Sequence, residues 1–410
     1  MMMGRTCLAL LTVLLLVAPQ VTAAIYRYET RPVQLTNGPY RIVRAPDSVK
    51  MSDDLVLYSR SGVHAVKDNA SGLMLNSWDN GTYVYDISDH REYLAAHEVL
   101  DADISGSLVV WREKSAIVVH NYLNDSRTVL PVPYAKPIYR PEIDGDRIVW
   151  ADVRADPNPT GPRQDVDIYL YNLTTMSETR LTDQANASSK AQPDLRGDLV
   201  VWNDDRNGDY DIYGYYLTNA TEFRVTNETS GQFLPKASNS AVAWLDDRFA
   251  NDPSQVDIFY KDLGTGREGR ASNTGAVESW DISGNRIVWA DTSGPDSPLN
   301  SGNIMIHDIS KNTTKVHYSS NESQYSPAIW GSRVVWVDTS SSGGEIFTMG
   351  RPVPLYLGIE LYLLLLIPLV VVTVSVILFF KYRMAKENKE IEHYERKSKM
   401  RKRGKGLKSW

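Results

Sequence analysis

One phrase returns along this chain and limits what it can fold into. Leu-Val-Val-Trp occurs at 108–111 and 199–202, Ile-Val-Trp ends at Trp150 and Trp289, Ala-Val-Ala-Trp ends at Trp244, and Val-Val-Trp ends at Trp336. A degenerate copy, Leu-Val-Leu-Tyr, ends at Tyr58. These seven anchors are separated by 53, 39, 52, 42, 45 and 47 residues. Self-similarity at such a period marks a repeat architecture, in which each unit buries its apolar face against its neighbours.

Each copy carries the chemistry of four short antiparallel strands. Upstream of the anchor an apolar segment ends in a turn: Ile143-Asp144-Gly145-Asp146, Leu195-Arg196-Gly197-Asp198, Ile282-Ser283-Gly284-Asn285 and Ile329-Trp330-Gly331-Ser332. Glycine paired with Asp, Asn or Ser between two apolar runs is a hairpin signal, because glycine accepts the positive φ that such turns need. Downstream come a third segment, as in 167–171, 211–215 and 257–260, and a fourth, as in 179–182 and 223–226. The anchor strand is almost continuously apolar, which predicts burial on both faces. Small four-stranded sheets at this period, arranged radially, form an all-β propeller.

Seven blades are expected, with six or eight left open because the copy at 58 is weak and 59–85 contains extra material. The last copy holds only three strands. Arg31-Pro32-Val33-Gln34-Leu35-Thr36 resembles the fourth-strand phrase Thr179-Arg180-Leu181-Thr182, so an N-terminal strand is expected to complete the last blade and remove the free edges. The anchor tryptophans are expected in the core between blades.

The segments Ile148-Val149-Trp150-Ala151-Asp152 and Val200 to Tyr213 resemble the TolB-like propeller repeat, and more narrowly the tandem version found in cell-surface proteins of methanogenic archaea. The resemblance covers about residues 25–349 and implies the fold. It says little about activity, since propellers host many unrelated ones. The copies at 58 and 111 depart from it.

The two ends of the chain suggest a membrane-anchored surface protein. Arg5, the apolar run Cys7–Val17 and the small residues to Ala23-Ala24 have the layout of a secretory signal, here 1–23. The propeller is assigned to 24–350 and a Pro-containing linker to 351–360. Residues 361–380 are uncharged and match the roughly 20 residues of a transmembrane helix. The tail, 381–410, carries 12 Lys or Arg against 4 Glu, whereas 25–380 sums to −15. That asymmetry predicts a cytoplasmic tail and an extracellular propeller. The tail charge is read first as fixing orientation, with contact to anionic lipid as the sharper alternative. Glycosylation sequons stand at Asn69, Asn80, Asn124, Asn172, Asn186, Asn219, Asn227, Asn312 and Asn321, all on the expected outer side. The lone cysteine, Cys7, lies in the signal, so the mature chain is expected to have no disulfide and no thiolate chemistry.

No catalytic motif is evident. The seven histidines show no metal spacing, and neither a nucleophile elbow nor a phosphate loop is present. Asp205, Asn207, Asp209 and Asp211 are weak calcium candidates, since oxygen ligands in a Gly-containing turn suit that ion. The alternative is that such Asp and Arg residues fasten hairpins, and no cofactor is assigned. Long connections at 152–166, 246–256 and 291–303 are expected to share one face. Asp152, Asp156, Asp246, Asp252, Asp291 and Asp296 are candidates for an acidic binding surface there. The expected function is binding or scaffolding of a surface protein or glycan, with no nucleic acid partner. The alternatives are an extracellular hydrolase or lyase, or an accessory or sensor subunit of a membrane complex.

Overall fold

The computed structural model describes residues 26–28, 31–38, 41–43, 48–67, 74–97, 99, 102–132, 141–156, 165–182, 188–250, 252, 255–293, 302–339, 344–350, 352–354 and 376–397. The chain divides into two compact units, Tyr28–Arg351 and a second made of Met1–Arg27 with Pro352–Trp410. The first is a seven-bladed propeller of antiparallel sheets.

Numbering blades from the N-terminus, blade 1 holds Val49–Ser52, Leu55–Lys67, Met74–Asp86 and Arg91–His97. Its second and third strands are 13 residues long, which accounts for the extra material around 59–85, and Arg41–Ile42 adds a fifth strand. Blades 2 to 6 are regular four-stranded sheets beginning at Ala102, Glu142, Lys190, Gln232 and Val277. Blade 7 takes Gln324–Trp330, Arg333–Asp338 and Glu345–Met349 from the end of the repeat and Val33–Gln34 from the beginning. Val33 pairs with Thr348 and Gln34 with Phe347, while Thr36 donates its hydroxyl to Glu345 at 2.6 Å. The N-terminal strand therefore completes the last blade, as the sequence suggests.

The anchor strands sit between neighbouring sheets. Leu199–Asp204 and Arg333–Asp338 are buried at every position. Trp150, Trp202, Trp244 and Trp336 have no exposed surface, and Trp289, Tyr58 and Trp111 almost none. Seven apolar clusters each join two adjacent blades, and the one containing Val49, Val56, Tyr325 and Val335 joins blade 7 to blade 1. Gly145, Gly197, Gly284 and Gly331 turn the first hairpin of their blades at φ between 54° and 62°, where a side chain would be strained.

In the second unit a helix spans 376–397; the strand Tyr26–Tyr28, which ends at the unit boundary, pairs with Pro352–Pro354. Among the described residues no helix is long and apolar enough to cross a membrane. The expected span at 361–380 lies mostly outside the described residues, which include only 376–380 of it. The signal segment lies wholly outside them.

Candidate binding site at the hairpin end of the channel

Antiparallel strands give each blade two ends. One carries the first and third turns of the blade, and the other carries the long second connections where the acidic surface was expected. The aspartates of that second end are mostly committed within their blades. Trp150, Trp202, Trp244 and Trp289 donate their indole N–H to Asp152, Asp204, Asp246 and Asp291 at 3.0–3.3 Å. In blades 3 to 5 the same carboxylate also receives the backbone N–H two residues on and holds the guanidinium of Arg154, Arg206 or Arg248. That guanidinium covers Tyr169, Tyr213 or Phe259 at 4.0–4.2 Å. Although burial pushes Asp204 up, its hydrogen bonds and charge contact with Arg206 hold the carboxyl below its usual value.

Asp152, Asp246 and Asp291 are thus buried fasteners, and the carboxylates are not free to form an acidic surface. Asp156 is half-buried and accepts from Asp165 N–H at 3.2 Å, Asp252 is exposed, and Asp296 lies outside the described residues.

The four calcium candidates do not converge. Asp211 pairs with Arg224 at 2.6 Å, Asp205 receives Ser189 N–H at 2.8 Å, and Asp209 is exposed. Asn207 turns its amide N–H toward Tyr213 at 2.7 Å and Asp211 at 3.2 Å. No group of three or more His, Cys, Asp or Glu able to hold a metal occurs among the described residues. Of the sequon asparagines, Asn80, Asn124, Asn219, Asn227, Asn312 and Asn321 are exposed and Asn172 is half-buried, while Asn69 and Asn186 lie outside the described residues.

The channel holds charges that sequence reading passed over. Lys50, Asp103, Glu142, Asp194, Lys236, Asp281 and Ala328 each stand eight residues before their anchor and pair with the residue preceding it. Six of these seven equivalent positions are charged, and Lys50 of blade 1 reaches Glu142 of blade 3 at 3.7 Å across the channel. These groups also tie blades together. Asp103, Asp194 and Asp281 accept the N–H of Ile143, Ala237 and Ile329 in the next blade at 2.6–2.9 Å. Lys236 donates to Trp280 O at 2.6 Å. Burial, followed by the charge of Glu142, pushes Asp103 up to about 8 and Asp194 up to about 6.

Two residues further along, at the hairpin mouth, the equivalent positions read Ser52, Ser105, Asp144, Arg196, Ser238, Ser283 and Trp330. Arg196 and Trp330, three blades apart, meet with the guanidinium 4.6 Å from the ring centre. Asp144 holds Arg196 at 3.3 Å on one side. On the other side the small Ser238, Ser283, Gly284 and Gly331 leave a cavity of about 550 Å³, rimmed by Asn239, Asn285, Arg286, Asp308, Ser310 and Lys311. Lys311 is paired with Asp308 at 2.8 Å, and Asn285 is locked between Ser240 and Ser310 at 2.6 and 2.7 Å. Arg286 has no carboxylate within ion-pair distance among the described residues; its one side-chain hydrogen bond there is to Gly331 O at 3.5 Å, and its strand partner Asp308 is taken by Lys311. Next to it a groove of about 570 Å³ continues past Lys311, Lys315 and His317, the last pushed down to about 4 by burial and then by the charge of Lys315.

This cavity lies at the opposite end of the ring from the long connections, where the acidic surface was expected. Its signal is present in the sequence, but only once the repeats are aligned on their anchors and compared position by position.

Neither a protein-family model nor a curated protein matches the sequence. Solved structures match the fold. Oligogalacturonate lyase from Vibrio parahaemolyticus superposes with a TM-score of 0.57 at 9% identity, over 80% of this chain and 96% of that one. The β-propeller domain of the trilobed protease from Pyrococcus furiosus gives 0.52 at 13% identity, over 77% and 96%. Putative TolB from Agrobacterium tumefaciens gives 0.43 at 14% identity, over 66% and 98%. Likeness at such identities bears on the fold alone, which lyases and peptidases share.

Proposed function

We propose that this chain is a binding propeller held at the cell surface by a single C-terminal span, with its ligand site in the cavity at the hairpin mouth. The observation that carries the reading is the unequal use of polar groups in the propeller. The channel carboxylates tie neighbouring blades and the long-loop aspartates fasten their own blades, whereas the mouth keeps an open cavity with a guanidinium that has no carboxylate in ion-pair distance among the described residues. Buried polar groups that bond only to each other are structural, and a concave site with a few convergent polar groups is the usual form of a ligand pocket, at roughly 300–1,000 Å³. The uncharged run 361–380, the basic tail and the sequons support the surface placement.

A membrane-impermeant amine reagent on intact cells, followed by peptide mapping, tests both parts. Lys114, exposed at the long-loop end of blade 2, should be labelled, and the tail lysines Lys397, Lys399, Lys402 and Lys405 should not. Lys311 should react less on cells than in the purified chain if its cavity is occupied in place. Labelling of the tail with sparing of Lys114 reverses the topology. Equal reaction of Lys311 in both settings removes the cavity as the working site.

A further inference from the structure

Resting on the reading of the hairpin-mouth cavity as the ligand site, we infer that the cavity takes a sugar acid, with Arg286 receiving the carboxylate and the neighbouring amides and hydroxyls receiving ring hydroxyls. The first ground is electrostatic. Residues 25–380 sum to −15, yet this cavity and the groove beside it gather Arg196, Arg286, Lys311 and Lys315. Asp144 and Asp308 answer Arg196 and Lys311. Neither Arg286 nor Lys315 has an ion-pair partner among the described residues. A guanidinium presents a planar fork that matches a carboxylate in two-point contact.

The second ground is what surrounds the cation. Asn239 is exposed, makes no hydrogen bond among the described residues, and leans over Gly197, where an added Cβ would stand 3.2 Å from its amide oxygen. Asn285 and Ser310 are fixed beside it. Amides and hydroxyls both donate and accept, as ring hydroxyls require. A bare phosphate or sulfate would instead be matched by a nest of free backbone N–H groups. At this mouth those of Gly197 and Gly331 are already given to Asp144 and Ser283. Trp330 is the one apolar side chain lining the cavity, and the guanidinium of Arg196 lies over its ring, which leaves little for a hydrophobic peptide anchor.

The test is calorimetric titration of the purified full chain with a glucuronate trisaccharide, with the same trisaccharide after reduction of its carboxylates to alcohols, and with sodium phosphate and sodium sulfate. The acidic trisaccharide should bind about tenfold or more tightly than its reduced form, the loss expected when a hydrogen bond to a charged group is removed. Arg286→Gln should weaken it by a similar factor at unchanged melting temperature, and Lys114→Gln should leave it unaltered. Equal binding of acidic and reduced sugars overturns the inference, as does full affinity in Arg286→Gln. Phosphate or sulfate binding as tightly as the sugar shows a site for a bare anion and overturns it too. Failure of the acidic trisaccharide to bind removes the sugar-acid class; the surface reading is decided separately by the lysine labelling.

Discussion

At the long-loop end of blade 4, Arg206 donates to Asp204 at 2.9 Å and to Glu222 at 2.6 Å, with its guanidinium laid over Tyr213. At the hairpin end of blade 6, the one side-chain hydrogen bond of Arg286 among the described residues is to a backbone carbonyl at 3.5 Å, and no carboxylate there comes within ion-pair distance. Both arginines are partly covered and both sit beside a turn. The difference is whether the blade supplies a carboxylate for the guanidinium to complete. A completed pair is part of the packing, and its loss leaves a buried charge behind. An incomplete one keeps its binding capacity for something outside the chain.

The largest expected effect comes from breaking the completed end. Asp246→Ala removes the acceptor for Trp244 and one of the partners of Arg248, and should cost about 3–5 kcal/mol, read from the urea midpoint. A loss below about 1 kcal/mol, the scale of an exposed pair, would mean that the fasteners are ornamental and would erase the contrast.

The next effect belongs to the channel between the two ends. Asp103 ionises near 3.8 when unfolded and about 8 when folded. The folded chain therefore keeps a proton that the unfolded chain has lost. The stability from this group is complete below pH 3.8 and disappears as pH rises to about 8. Asp194, raised to about 6, has the same sign over a narrower range. His317, lowered from 6.5 to about 4, has the opposite sign between those values. Between pH 6.5 and 8 Asp103 makes the largest contribution of the three, because Asp194 and the unfolded-state His317 are completing their titration there. Stability should fall there by on the order of 1–2 kcal/mol, and Asp103→Asn should flatten that fall while preserving an acceptor for Ile143 N–H. A slope unchanged in the variant would assign the pH dependence elsewhere.

The smallest effect is expected at the incomplete end. Arg286→Gln should change stability by no more than about 0.5 kcal/mol, the usual range for a surface substitution. A loss comparable to that of Asp246→Ala would place Arg286 among the fasteners and sharpen the contrast against the binding proposal.

Much of this arrangement is legible in the sequence because repeats print their geometry several times. The anchors gave the blade count, glycine at the turns gave the first hairpins, and the likeness of 31–36 to 179–182 gave ring closure. The Trp-x-Asp-x-Arg spacing at 150–154, 202–206 and 244–248 is legible too, but a loop aspartate reads as solvated until its indole partner is seen to be buried. The channel ring escaped for a related reason. Lys50, Asp103 and Glu142 are charged residues in short strands, and strand patterning assigns such residues to the outside. In a propeller the inner strand also faces a polar channel. The cavity was the least legible, because it arises from a difference among equivalent positions, serine in blades 5 and 6 flanked by arginine in blade 4 and tryptophan in blade 7.

Ring closure also has a consequence for the order of assembly. Thr36 and Glu345 are 309 residues apart in the chain, and the segment that latches the ring is synthesised before any of the blades. It must wait, unpaired, until blade 7 is made. The earlier blades can stack in sequence by local contacts, but the seam between blades 7 and 1 forms last and joins the most distant parts of the propeller. The latch strand proper is only Val33–Gln34, so the final step rests on a short splice whose partner arrives late. Chains halted before residue 345 would present an open arc with two uncapped faces, and such an arc is the form of this protein most exposed to wrong pairing.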